Sequence, residues 1–251
     1  RWYMPGDIGT VLPHTNTLTV APLDIRRQPV VKGRQTGWGA ALGMWGQYSQ
    51  DDERLFNLRN KSGGRMTHGF CHSFEGFPAR FAKGNTDDPT IYEGEHPEYF
   101  SKDQGLGQMC FSSTGLLAQV IQDARAFFDG KGLKYRSPGG EDNYEVVPRD
   151  TGIGCTCSNC APLLGPATGE FASGRASQVF WPFVNKVAEA LAESYPGKYV
   201  ACLAYLDYSV PPEGITIASN VYVGPALGTR GWVFGGGTEL AAYKDWVKAC
   251  P

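Results

Sequence analysis

Three cysteines crowd into the stretch "PRDTGIGCTCSNCA", residues 148–161, directly after the aspartate Asp150. Cysteine thiolates bind metals or exchange disulfides, whereas a well-placed aspartate works as an acid or base. Cys155, Cys157 and Cys160 supply at most three ligands, and a structural zinc site needs four. The spacing from Cys157 to Cys160 fits a redox pair, but the thioredoxin context is absent. We therefore interpret the cluster as a clasp on the loop after Asp150, made by a metal or by a disulfide to a distant cysteine.

The aspartate itself follows a predicted strand, and a second candidate acid follows another. "YEVVP" at 144–148 predicts a strand that ends at a proline and delivers Asp150 to its carboxyl end. A strand at 199–205 likewise leads to Tyr205 and Asp207. Carboxyl ends of parallel strands are where α/β enzymes place catalytic groups, so Asp150 and Asp207 are the candidate catalytic residues. Tyr205 is a candidate substrate-binding residue.

Two further strands, 29–34 and 65–70, end close to polar or aromatic side chains that suit a sugar ligand. His68 and His72 lie four apart, but the Gly-Phe between them argues against the helical metal-binding spacing, so we expect hydrogen bonds to substrate. Arg34 would hold a hydroxyl or pair with an acid, and Trp38 would stack on a sugar face. An ordinary core or loop position is the alternative for the two histidines, and packing is the alternative for Trp38.

The order of the predicted elements places these residues in an α/β protein. Apolar spacing predicts four helices, in "DDERLFNLRNK", "SSTGLLAQVIQDARAFFDGKG", residues 179–194 and "TELAAYKDWVKAC". They alternate with five strands, of which 215–223 is the last, and such alternation favours parallel βαβ units. A closed (β/α)8 TIM-like barrel needs eight strands, so we predict an incomplete barrel at 29–251 after a lead-in segment at 1–28.

Composition limits the partners. The chain of 251 residues carries 23 basic and 25 acidic residues, a formal charge of −2, and no dense basic run. Nucleic-acid binding would leave a basic patch, so we expect no nucleic-acid partner. No apolar run approaches the roughly 20 residues of a membrane helix, so we expect no membrane span.

Several stretches taken together resemble one family. "RWYMPGDIGTVLP" resembles its opening segment, "THGFCHSF" its Gly-His loop, and "VVPRD" with "CTCSNC" its aspartate before a cysteine cluster. "HPEYF", "QMCFSS", "FWPFVNKVAEAL" and "LAYLDYSVPP" are similar to further family segments in the same order. The family is glycoside hydrolase family one hundred and sixty-three with its uncharacterised relatives of the DUF4838 type. The resemblance covers nearly the whole chain.

The resemblance implies a TIM-like barrel and an endo-acting β-N-acetylglucosaminidase of complex N-glycans. It implies substrate-assisted hydrolysis, in which the acetamido group of the sugar attacks the anomeric carbon, an acid protonates the leaving oxygen, and a second group orients the acetamide. It also implies a secreted, periplasmic or cell-surface location, and brings Cys110 of "QMCFSS" forward as the fourth cysteine of the cluster.

Two hypotheses of different classes follow. The first is a glycosidase that takes an oligosaccharide, needs no cofactor for catalysis, and carries a structural zinc ion if the cysteines bind metal. The second is a carbohydrate-binding or structural barrel without catalysis, working beside other domains or chains of a larger protein.

Overall fold

The computed structural model divides the chain into two compact units, Arg1–Thr67 and His68–Pro251. It describes isolated positions between 11 and 24 and the ranges 50–61, 72–131, 140, 142–167, 173–226 and 238–250. The predicted strands 29–34 and 65–70 lie outside the described residues. The predicted boundary between residues 28 and 29 also lies there, so both stay predictions.

In the first unit the described element is α1, Gln50–Arg59, which confirms the helix predicted from "DDERLFNLRNK". Phe56 is its buried apolar residue, while Leu55 and Leu58 are exposed. The Asn60 N–H, one residue beyond the end of α1, still donates to the Phe56 carbonyl four residues earlier, as in the helix itself.

The second unit begins with a short helix and a small antiparallel hairpin. Helix α2 is Phe77–Phe81. The hairpin pairs β1, Phe100–Ser101, with β2, Gly105–Met109. Gly105 has a φ of +51°, a backbone conformation that favours glycine and lets the chain reverse within three residues. Neither strand of this hairpin was among the predicted strands.

Two long helices cover the sheet. Helix α3, Thr114–Phe128, begins where the Ser113 hydroxyl accepts the Leu116 N–H at 3.2 Å, and Gly130 follows its end with a φ of +71°. Helix α4, Ser177–Ser194, begins two residues before the predicted start at 179. Both confirm predictions from apolar periodicity, since their apolar faces are buried in a common core.

Three parallel strands form the central sheet, in the order β3, Asn143–Glu145; β4, Tyr199–Ala204; β5, Val221–Pro225. Tyr144 pairs with Val200, which in turn pairs with Val221. Because all three strands point the same way, the segments that follow them leave the sheet at one edge. That edge carries the candidate site.

The predicted strand 215–223 is wrong over 215–220, because the ladder begins only at Val221. The side chain of Asn185 on α4 forms hydrogen bonds with the backbone of the segment before β5. It donates to the Thr216 carbonyl at 2.8 Å and accepts the Ala218 N–H at 3.0 Å. A segment whose backbone groups bond to a helix side chain has fewer left for a strand partner.

Helix α5, Thr238–Ala249, confirms the predicted terminal helix. Its Trp246 lies 4.5 Å from Trp181 of α4, measured between ring centroids, and donates to the Ser209 carbonyl at 2.6 Å. No helix in the described parts of the chain is both long and apolar enough to span a bilayer. The described sheets have three strands and two, so the eight-stranded barrel stays a prediction.

Candidate functional site

Three predicted site residues meet at the carboxyl edge of the parallel sheet. Asp150 follows β3, Tyr205 follows β4 directly, and His72 lies in the segment before α2. The Tyr205 hydroxyl donates to Asp150 Oδ1 at 3.1 Å, and His72 Nε2 lies 3.6 Å from the same oxygen. Residues 55 and 78 positions away from Asp150 thus converge on one carboxylate oxygen.

The backbone fixes the orientation of the His72 ring. Its Nδ1 lies 2.5 Å from the carbonyl oxygen of Pro148, an atom that can only accept, so Nδ1 carries a hydrogen. The other ring nitrogen, Nε2, faces Asp150 Oδ1 at 3.6 Å, which is longer than a direct hydrogen bond. The backbone therefore holds the imidazole beside the carboxylate in one orientation.

Asp150 remains open to a ligand despite these two partners. Its side chain is 64% exposed, whereas that of His72 is 28% exposed. Its neighbour Arg149 points elsewhere, pairing with Glu75 at 2.9 Å and donating to the Leu106 carbonyl. The carboxylate is therefore oriented by the protein and accessible to solvent at once.

Asp207 lies in the 3₁₀ turn after β4 and serves the neighbouring loop. Its Oδ2 accepts the Ile153 N–H at 2.9 Å and lies 3.7 Å from Arg175 Nη1. Burial raises the pKa of Asp207, while the Ile153 N–H and the Arg175 charge act against that rise. Its Oδ1 is buried with no hydrogen-bond partner among the described residues. These contacts give Asp207 a positioning role, and its predicted catalytic role stays a prediction.

The backbone around Asp207 is closely constrained. Leu206, between Tyr205 and Asp207, has a φ of +48°, which costs a residue with a Cβ about 1–2 kcal/mol. A Cβ added at Gly152 would lie 3.1 Å from Asp207 Oδ2, so a larger residue there would push against the carboxylate. Strain of this kind persists where the surroundings enforce it and is common at functional sites.

Two glutamines of the hairpin hold the loop that carries Asp150. Gln108, fully buried, donates to the carbonyls of Arg149 at 3.2 Å and Thr151 at 2.9 Å. The Gln104 amide donates to the Gly152 carbonyl and accepts the Gly154 N–H, both at 2.7 Å. The sequence reasoning missed both residues, because amide side chains in a hairpin carry no motif.

Farther along the same loop, Cys155, Cys157 and Cys160 meet Cys110, which directly follows β2. The Sγ atoms of Cys110, Cys155, Cys157 and Cys160 all lie within 4.8 Å of one another, and each cysteine is free of a disulfide. The hydrogen bond with Cys160 lowers the pKa of Cys110 to about 4, and the same contact raises the pKa of Cys160. The predicted grouping with Cys110 therefore appears in the structure, and the six described cysteines are all free of disulfides.

The remaining candidates Arg34, Trp38 and His68 lie outside the described residues, and their predicted contacts with a sugar stay predictions. Of the residues assigned to catalysis or substrate binding, the described part of the chain thus places His72, Asp150, Tyr205 and Asp207.

Comparison with known protein families gives one match. The model of a domain of unknown function, DUF4838, matches residues 4–226. The chain belongs to this family. Comparison with curated proteins and with solved structures gives no match for this DUF4838 domain. The matched range includes His72, Asp150, Tyr205 and the four-cysteine cluster, while α5 lies beyond it.

Proposed function

We propose that this DUF4838 domain is related to glycoside hydrolase family one hundred and sixty-three and hydrolyses β-N-acetylglucosaminides of N-glycans. The observation that carries the proposal is the exposed Asp150 carboxylate at the edge of a parallel sheet, held by His72 and Tyr205. The proposal includes a TIM-like barrel, of which β3, β4 and β5 would form part, and an extracellular or periplasmic location where such glycans occur.

In this mechanism Asp150 is the acid. It donates its proton to the glycosidic oxygen while the acetamide oxygen of the sugar forms a bond to the anomeric carbon and the bond to the leaving group breaks. Water then opens the cyclic intermediate, and its proton returns to Asp150. His72 and Tyr205 act on Asp150 rather than on the sugar, since both contact Oδ1 and leave Oδ2 for the substrate.

The distribution of charge at the site fits a neutral substrate. The groups beside the Asp150 carboxylate are the His72 imidazole, whose Nδ1 is bound to the Pro148 carbonyl, and the Tyr205 hydroxyl. The chain as a whole has a formal charge of −2, and its sequence contains no dense run of Lys and Arg to attract a polyanionic substrate. A glycan held by hydrogen bonds and aromatic stacking suits these properties.

The test is incubation of the full-length protein with complex N-glycans, followed by mass analysis of the released oligosaccharides. We expect Asp150→Asn to reduce the rate about 10²–10⁴-fold, because it removes the proton donor and keeps the size of the side chain. Asp245→Asn is the matched control, since Asp245 is an exposed aspartate on α5 that pairs only with Lys248 among the described residues.

A second substrate separates the mechanism from ordinary two-carboxylate hydrolysis. A glycan whose reacting sugar lacks the N-acetyl group has no internal nucleophile, so we expect no release from it. Equal release from both substrates would refute substrate assistance. If the wild-type protein binds the glycan and releases nothing, the domain is a carbohydrate-binding module, and the glycosidase proposal is wrong.

A further inference from the structure

The four-cysteine cluster has the dimensions of a metal site. In a tetrahedral four-thiolate zinc site with Zn–S bonds of about 2.3 Å, neighbouring sulfurs lie about 3.8 Å apart. Here Cys110 Sγ lies 3.7 Å from Cys157 Sγ and 4.0 Å from Cys160 Sγ, and all four sulfurs lie within 4.8 Å of one another. A disulfide would need about 2.05 Å between two sulfurs, so these distances fit a shared ion and not a bridge.

The surroundings of the cluster suit thiolates. The Lys102 N–H points at Cys155 Sγ at 3.5 Å, and the Cys160 N–H points at Cys157 Sγ at 3.4 Å. The Ser112 oxygen lies within 3.4 Å of three of the sulfurs; it accepts from Cys160 Sγ at 3.1 Å, and its single hydrogen can reach one of the other two. Outer hydrogen bonds of this kind, above all those from the two N–H groups, stabilise negative sulfur in metal sites and orient the ligands.

The cluster is both shielded and reachable. Cys155 and Cys160 are fully buried and Cys110 nearly so, while Cys157 is partly exposed. A cavity of about 500 Å³ borders Cys110, Cys155 and Cys157 and gives an ion a route from solvent. An ion bound there would therefore be largely shielded from water and still able to exchange with solvent.

We propose that Cys110, Cys155, Cys157 and Cys160 bind one zinc ion in a closed four-thiolate site. Each cysteine that binds releases its thiol proton to solvent, and the ion is not reduced or oxidised. All four positions around zinc are filled by protein, so no position is left for a substrate and the ion is structural. It ties the segment after β2 to the loop that begins at Asp150. The proposal does not depend on glycosidase activity.

The first experiment measures metal in the full-length protein purified under reducing conditions, by elemental analysis. We expect one equivalent of zinc per chain. Cys157→Ser should lower it at least tenfold, and Cys250→Ser, which changes a cysteine outside the cluster, should leave it unchanged. Iron in place of zinc, or less than a tenth of an equivalent of any metal, would overturn the proposal.

The second experiment does not depend on a variant that folds. The wild-type protein is stripped with a chelator and titrated with cobalt(II), which gives intense visible bands in tetrahedral sites and near-ultraviolet charge-transfer bands from thiolates. We expect both sets of bands to saturate at one equivalent and to disappear on addition of zinc. Bands typical of octahedral cobalt, or no binding, would overturn the four-thiolate assignment.

Discussion

The loop that follows β3 is held in two different ways at its two ends. At its start Asp150 is 64% exposed and has two polar partners on a single oxygen. At its far end Cys155 and Cys160 are fully buried and face two further sulfurs. The buried end is shielded from solvent, so its sulfurs find partners only within the protein or in the zinc ion that we propose. The exposed end keeps one oxygen for a ligand.

This difference separates stability from activity. Changes at the buried end should lower the free energy of unfolding first and affect chemistry through misplacement of Asp150. Changes at the exposed end should affect chemistry and leave the fold intact, because substitutions of exposed side chains rarely change stability by more than about 0.5 kcal/mol. The loop between the two ends, which Gln104 and Gln108 hold, should show both effects together.

The largest effect is expected at the buried end. Cys157→Ser should lower the free energy of unfolding by about 4 kcal/mol or more, because loss of a structural metal is among the few changes of that size. It should also reduce glycan hydrolysis by misplacing Asp150. Denaturant unfolding with and without added zinc measures the loss.

Asp150→Asn is the comparison for that variant. It should unfold within about 0.5 kcal/mol of wild type, since Asp150 is exposed. If Cys157→Ser unfolds like Asp150→Asn in the presence of zinc, the contrast between the two ends of the loop does not exist.

An intermediate effect is expected at Gln108. Gln108→Leu leaves the Arg149 and Thr151 carbonyls without their amide donor, which should cost about 1–3 kcal/mol of unfolding free energy. The loop that carries Asp150 should loosen, so hydrolysis should fall as well. Urea unfolding and hydrogen exchange at residues 149–154 measure the two effects.

Gln119→Leu is the matched control. Gln119 lies on α3, and the substitution removes its one hydrogen bond to Asp123. Asp123 keeps its hydrogen bond from Arg80 at 2.8 Å. We expect a smaller loss of stability and unchanged hydrolysis. Equal losses of activity in both variants would show that the Gln108 amide is not needed to position the Asp150 loop.

The sequence predicted the parts of the fold that depend on local pattern. Helices α3 and α4 were predictable because their apolar residues recur at helical spacing. Strand β4 was predictable because the six consecutive residues 199–204 are all apolar or aromatic and none is charged. The hairpin was not, because Gly105 and Gly107 interrupt any alternation. The start of β5 was not, because it depends on the amide of Asn185, on a distant helix.

The site was predictable in its location more than in its contacts. Parallel strands imply that Asp150 and Tyr205 leave the sheet at one edge, and the structure brings them within hydrogen-bond distance. The position of His72 was suggested only by its residue type and loop. The grouping of Cys110 with the other cysteines followed from the need for a fourth ligand and from the family resemblance. Gln108 gave no signal, because its role depends on backbone carbonyls 41 and 43 residues away.

The smallest effect is expected at Asp207, which lies in the turn after β4 and contacts the middle of the loop at Ile153. Because burial raises its pKa above the ordinary 3.8, the folded state binds more protons than the unfolded chain at pH values between the two pKa values. Stability should therefore fall as pH rises through that window, upward from about pH 4. Asp207→Asn cannot titrate, so its unfolding free energy should lack this decline. Denaturant unfolding at a series of pH values measures the difference, with Asp245→Asn as a control that retains Asp207.

The same variant decides between the two roles of Asp207. An asparagine oxygen can still accept the Ile153 N–H, so a positioning residue should tolerate the change, and hydrolysis should stay within a few-fold of wild type. Asp207→Ala removes that acceptor and should reduce hydrolysis further. If Asp207→Asn abolishes hydrolysis as completely as Asp150→Asn while the loop stays protected from hydrogen exchange, Asp207 takes part in the chemistry itself. The exposed end of the loop would then act together with a second carboxyl group, supplied by the turn after β4.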